Sequence, residues 1–76
     1  MDFKVQFRGG MSHLTVTLDE SFPDLDWAEK RVRALANHFA RAGYDFVGIY
    51  AEDSPKQSFV RCFNLEVKTI ITPLDC

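Results

Sequence analysis

Only one stretch of this 76-residue chain carries a helical period. Leu25, Ala28, Val32, Leu35, Phe39 and Ala42 are spaced three, four, three, four, three, which draws one apolar stripe along a helix. Ala36 widens the stripe, and Lys30, Arg33, Asn37 and Arg41 fall on the outward side. Asp24 suits the N-cap, where a carboxylate accepts the unpaired N–H groups of the first turn. Gly43 suits the position after the helix, where a left-handed residue stops it. Tyr44 and Phe39 then meet in the apolar contact that accompanies such a stop. Acids precede bases along the segment, from Asp19 to Glu29 and then from Lys30 to Arg41, an order that complements the helix dipole. One helix buries one stripe, so the remaining apolar residues must be organised by strands.

They alternate as strands require. In residues 2–8, Phe3, Val5 and Phe7 share one face, and Lys4, Gln6 and Arg8 the other. Gly9-Gly10 permits a tight turn, and Leu14, Val16 and Leu18 alternate after it. Two hairpin registers keep apolar opposite apolar. A two-residue turn at Gly9-Gly10 pairs Val5 with Leu14, and a four-residue loop at 9–12 pairs Phe7 with Leu14. Residues 19–24 read as a connector. Residues 46–51 are apolar on both faces, Phe46 and Tyr50 on one and Val47, Ile49 and Ala51 on the other, as a central strand should be. Glu52 to Lys56 reads as a turn. Residues 58–72 are strand-like throughout and long for one strand, which predicts a bulge or break near Cys62–Asn64 and an end at Pro73. The expected fold class is α+β: a two-layer β-β-α-β-β domain over residues 1–76, with one helix on an antiparallel sheet of about four strands.

Composition bounds the function. Hydrophobic residues make up 46% and charged residues 26%, which excludes a disordered chain. No apolar run approaches the roughly 20 residues of a membrane-spanning helix, so no membrane partner is expected. A net charge of -2 excludes a histone-like protein. A domain this small often needs a metal, disulfides or a dimer interface to be stable. The cysteines are Cys62 and Cys76 and the histidines His13 and His38, with no C-x-x-C and no clustered ligand spacing. No metal and no cofactor are therefore expected. A Cys62–Cys76 bridge is disfavoured, because Cys76 is the last residue and chain ends are usually mobile. The first residues alternate at once with no leader pattern, and with the sparse cysteines this predicts a reducing, cytoplasmic setting.

Three function classes can be weighed. Enzymatic chemistry needs a nucleophile beside a base. Cys62 lies in an apolar strand, His38 near the helix end and His13 on the polar side of a strand, so no catalytic residue is assigned. Nucleic-acid binding could use the basic helix face of Lys30, Arg33 and Arg41, with Arg31 beside it. Against it stand the neighbouring acids and the absence of any helix-turn-helix, RNP-like or zinc-finger pattern. Protein binding is favoured, because the helix can cover only one sheet face. Phe46, Tyr50 and Val60 are then expected to face outward with Cys62, and Trp27 lies just off the helical stripe. The alternative is that the C-terminal segment curls back over that patch. The partner is expected to be a larger protein or a second copy in a homodimer. No motif resembles a particular family. Small acidic proteins without a catalytic signature are common among phage and mobile-element products that block host machinery, the anti-CRISPR proteins among them. A steric inhibitor or adaptor of that type is the concrete expectation.

Overall fold

The structure, a computed structural model, describes residues 2–54, 58–66 and 71–76. The element order is β1 (Phe3–Gly9), β2 (Leu14–Thr17), α1 (Leu25–Arg41), β3 (Phe46–Ala51), β4 (Phe59–Leu65) and β5 (Ile71–Leu74). All strand neighbours are antiparallel, in the order β2-β1-β3-β4-β5. The fold is thus one helix on an antiparallel sheet, with five strands where about four were expected. No described helix is long and apolar enough to cross a membrane.

The helix begins and ends as its residues dictate. Trp27 N–H donates to Asp24 Oδ1 at 2.7 Å, which satisfies one unpaired donor of the first turn. At the other end Gly43 takes φ 104°, a left-handed value that costs glycine nothing. Tyr44 N–H donates to Phe39 O at 3.0 Å and Gly43 N–H to Ala40 O at 3.3 Å, the paired bonds of a Schellman stop. The rings of Phe39 and Tyr44 meet edge-on, 5.2 Å apart. Asn37 departs from its expected outward place: it is half-buried, and its carboxamide oxygen has no partner among the described residues.

The helix packs on β1, β3 and β4. Ala28, Val32 and Ala36 meet Val5, Phe7, Val47, Ile49, Phe63 and Leu65 in the core. Phe7 stacks on Phe39 with ring centres 3.9 Å apart, tying the middle of the sheet to the last turns of the helix. Phe22, read in the sequence only as part of a connector, is fully buried. It exchanges both backbone bonds with Phe3, at 2.8 and 2.9 Å, so the connector caps one edge of β1. Arg61 of β4 reaches across to Asp26 at 3.4 Å and Glu29 at 3.0 Å, linking the sheet to the start of the helix.

Several expectations need correction. The hairpin pairs Phe7 with Val16 and Gly9 with Leu14, two residues beyond the register of the four-residue loop at 9–12 and four beyond that of the Gly9-Gly10 turn. Apolar still faces apolar, because an even slip preserves the faces. The turn is Gly10 to His13, with His13 at φ 57°. Gly9 stays in β1 because the chain after the helix lies against it: a Cβ there would stand 2.6 Å from Gly43 O. Asp45 then fastens the turn by accepting Gly10 N–H at 3.0 Å.

The long C-terminal run is two strands. β4 passes unbroken through Cys62–Asn64 and ends at Leu65, since β3 is only six residues long and offers no further partner. The bulge falls earlier, at Val60, between the pairs Ile49–Arg61 and Tyr50–Phe59. Pro73 does not end a strand. It lies inside β5 opposite Phe63, where an edge position tolerates its missing N–H. The part of the expected strand at 67–70, and the expected turn at Pro55 and Lys56, fall outside the described residues.

The disfavoured disulfide is present. Cys62 and Cys76 are bonded, with Cα atoms 5.7 Å apart across 14 residues. Pairing of β5 with β4 places Leu74 opposite Cys62 and carries Cys76 within reach, so the segment is held rather than mobile. Closing a loop of this length restricts the unfolded chain and stabilises by about 3 kcal/mol. Cys76→Ser should therefore lower the unfolding free energy by about 3 kcal/mol, and Asp24→Ala by about 1 kcal/mol. The Asp24→Ala shift is readable as a urea midpoint at unchanged slope, and the Cys76→Ser shift from the extrapolated unfolding free energy, since a less restricted unfolded chain also steepens the slope.

Candidate functional site

The helix leaves one face of the sheet open. The side chains alternating away from it are Lys4, Gln6 and Arg8 on β1, Phe46, Gly48 and Tyr50 on β3, Cys62 and Asn64 on β4, and Leu74 on β5, with Phe59 joining them at the bulge. Phe59 is the centre of the arrangement. Its ring lies over Gly48, where an added Cβ would stand 2.6 Å from Phe59 Cγ, so only glycine leaves room for it. The ring meets Phe46 edge-on at 5.5 Å and Tyr50 at 6.1 Å. The Arg8 guanidinium caps it, 5.0 Å from the ring centre.

A polar chain holds Arg8 in place. Arg8 Nε donates to Gln6 Oε1 at 2.7 Å, and Gln6 Nε2 donates to Thr17 Oγ1 at 3.1 Å. Gln6 itself is 7% exposed, a buried amide satisfied on both sides. Beside this cluster runs a shallow groove of about 450 Å³, lined by Arg8, Phe46, Ser58, Phe59, Cys62, Asp75 and Cys76. A second hollow of about 400 Å³ continues past Arg8 and Phe46 toward Leu14 and the hairpin turn. Met11, at the tip of that turn, is 95% exposed.

The predicted binding residues separate. Phe46 and Tyr50 come together through Phe59, but Tyr50 is only 7% exposed and supports the cluster from beneath. Val60, the unpaired residue of the bulge, is 51% exposed and borders a different hollow that includes Glu29 and Arg33. Trp27 is 50% exposed on the outer side of the helix, beside Lys30, Arg31 and Ala34, on the opposite side of the sheet from Phe46. Cys62 faces outward as expected but is covered, because the disulfide draws Cys76 over it. The expected patch and its alternative are thus both partly realised: the C-terminal segment covers Cys62, while Phe46 and Phe59 stay half-exposed.

The basic helix face is partly neutralised from within. Arg31 pairs with Glu20 at 2.8 Å and Arg33 with Glu29 at 3.3 Å, leaving Lys30 and Arg41 without an ion pair among the described residues. Cys62 is bonded to Cys76 and so presents no thiolate nucleophile in this state. Sequence reasoning missed Arg8 and Phe59. The signal available for them was the glycine inside an apolar strand, since Gly48 marks a close approach by another group.

Compared with models of known protein families, with curated proteins and with solved structures, the chain matches none.

Gly48→Ala should force the Phe59 ring out of its seat. The expected result is a loss of about 1–3 kcal/mol in stability. The Arg8 side-chain protons should also lose the ring-current shift that they feel above Phe59, measured by proton NMR.

Proposed function

We propose that this chain is a non-enzymatic protein-binding module that docks on a larger partner and blocks it sterically, as an inhibitor or adaptor. The observation that carries this reading is the open sheet face, where Phe46 and Phe59 line a groove beside an ordered arginine and Leu74, opposite Cys62, stands exposed on the same face. A partly apolar centre with a polar rim is the make-up of a non-obligate interface. Charged side chains at its edge give orientation and on-rate more than affinity. The small size and acidic balance fit an anti-defence inhibitor of the anti-CRISPR type, the concrete form favoured here. Self-association in a homodimer through the same face is the alternative partner.

Nucleic-acid binding through Lys30, Arg33 and Arg41 is weakened by Glu29, which holds Arg33, and by Glu20, which holds the neighbouring Arg31. Phosphate contacts would first have to break those pairs. Action in the cytoplasm carries a condition. Cytosolic thiol pools reduce most protein disulfides, so the sheet must hold there without the Cys62–Cys76 bond.

The test is capture of the partner from nuclease-treated host lysate by the immobilised protein. Phe46→Ser combined with Leu74→Ser should weaken capture at least tenfold, whereas Trp27→Ser and the pair Arg33→Glu, Arg41→Glu should leave it intact. Nuclease-sensitive capture, or loss only in the charge-reversed variant, would overturn the reading in favour of nucleic acid. Sedimentation separates a monomer that binds another protein from a homodimer.

A further inference from the structure

Resting on the open face as the protein-binding surface, we propose that Arg8 is its anchor and takes a carboxylate from an acidic, apolar-flanked segment of the partner protein. Arg8 is exposed, yet its side chain is held at two points, one of them itself braced. Its Nε is bonded to Gln6, its guanidinium lies over Phe59, and Gln6 is in turn held by Thr17. Fixing a long exposed side chain costs rotamer entropy, and here that ordering precedes any ligand. The two terminal nitrogens have no acceptor among the described residues.

The other arginines are accounted for differently. Arg31, Arg33 and Arg61 each hold a carboxylate of this chain. Arg41 stands in the last turn of the helix, where a cation suits the dipole. Arg8 is the arginine that is both ordered and unpaired among the described residues. Two acids share its hollows. Asp45 is engaged with the Gly10 N–H at 3.0 Å, and Asp75 forms no ion pair with Arg8.

The chemistry of the occupant follows from what surrounds this fork. With Nε engaged, the terminal nitrogens offer outward N–H donors, which match the two oxygens of a carboxylate. Arg8 and Phe46 line both hollows, with Leu14 on one side and Phe59 on the other, so aliphatic neighbours of that carboxylate have surface to rest on. A nucleic acid would need an open ring face for stacking. Phe59 is already capped by Arg8 and meets its aromatic neighbours edge-on, so a protein carboxylate is the better match.

A displayed library of random twelve-residue peptides, selected on the disulfide-bonded protein, tests this directly. Enriched peptides should carry Asp or Glu beside Leu, Ile, Val or Phe. Arg8→Gln should weaken them by about tenfold or more, the effect of losing charge-assisted hydrogen bonds. Changing the peptide acid to its amide should cost as much against the unaltered protein and nothing further against Arg8→Gln. Arg8→Lys should recover only part of the loss, because it keeps the charge without the fork. Peptides that lose binding with Phe46→Ser but not with Arg8→Gln would overturn the role of Arg8 and leave the protein-binding face standing. Peptides indifferent to both variants, or no enrichment at all, would overturn both. Arg8-dependent binding of a single-stranded oligonucleotide without acidic peptides would replace the carboxylate with phosphate.

Discussion

One helix cannot cover both faces of this sheet, or even the whole of one. A helix with its side chains is about 10–12 Å across, and neighbouring strands are spaced about 4.8 Å apart. A single helix therefore spans roughly three strands. Here those are β1, β3 and β4, the three that carry the buried Val5, Phe7, Val47, Ile49, Phe63 and Leu65. The outer strand β2 lies beyond its reach, which is why Leu14 stays substantially exposed, while Leu74 of β5 is exposed because it points to the face that no helix covers. The stack of Phe7 on Phe39 fixes where the helix sits, and the Schellman stop then turns the chain directly into β3.

The same limit leaves β3 with apolar residues on a face that no helix covers. The chain meets this within the sheet itself. Gly48 removes a side chain at the centre of β3, and the bulge at Val60 re-aims Phe59 into the space. Phe59 then shelters Tyr50, Arg8 shelters Phe59, and the disulfide closes over Cys62. Each of these covers is thin. The result is a face about one side chain deep, with half-buried aromatics and a groove instead of a second core.

The sequence made the local features legible and left the long-range ones obscure. The N-cap at Asp24, the stop at Gly43, the Phe39–Tyr44 contact and the doubly apolar β3 all follow from spacings within a few residues. The hairpin register did not follow, because it depends on Gly9 meeting Gly43 from across the helix. Phe22 was missed for the same reason: a backbone exchange with Phe3 is not written in the connector's own pattern. The disulfide was misjudged because mobility was assigned to Cys76 from its position in the chain, and the pairing of β5 with β4 removes that mobility. Arg61 joins acids more than thirty residues away, and no local charge pattern signals it. Within the candidate site, Phe46 was legible from alternation. Val60 was placed beside Phe46 by the same alternation, which the bulge interrupts, and Trp27 was read only as lying just off the helical stripe, where the structure leaves it on the helix's outer side.

The covering of the open face changes what a small chain of this kind requires. An apolar surplus exposed on β3 would have made association a condition of folding, as in an obligate dimer. Instead Tyr50 and Cys62 are buried within the chain, and where the Cys62–Cys76 bond is formed its loop closure adds to stability. What remains exposed around Arg8 is a mixed surface of arginine, half-buried aromatics and Leu14, the composition on which the proposed binding role rests. Binding on such a surface is set by a few placed groups more than by area. The buried Gln6 indicates where that placement is concentrated. Burying an amide in a sheet this small is costly unless it is fully bonded, and its bonds go to Thr17 and to the one arginine held ready at the centre of the face.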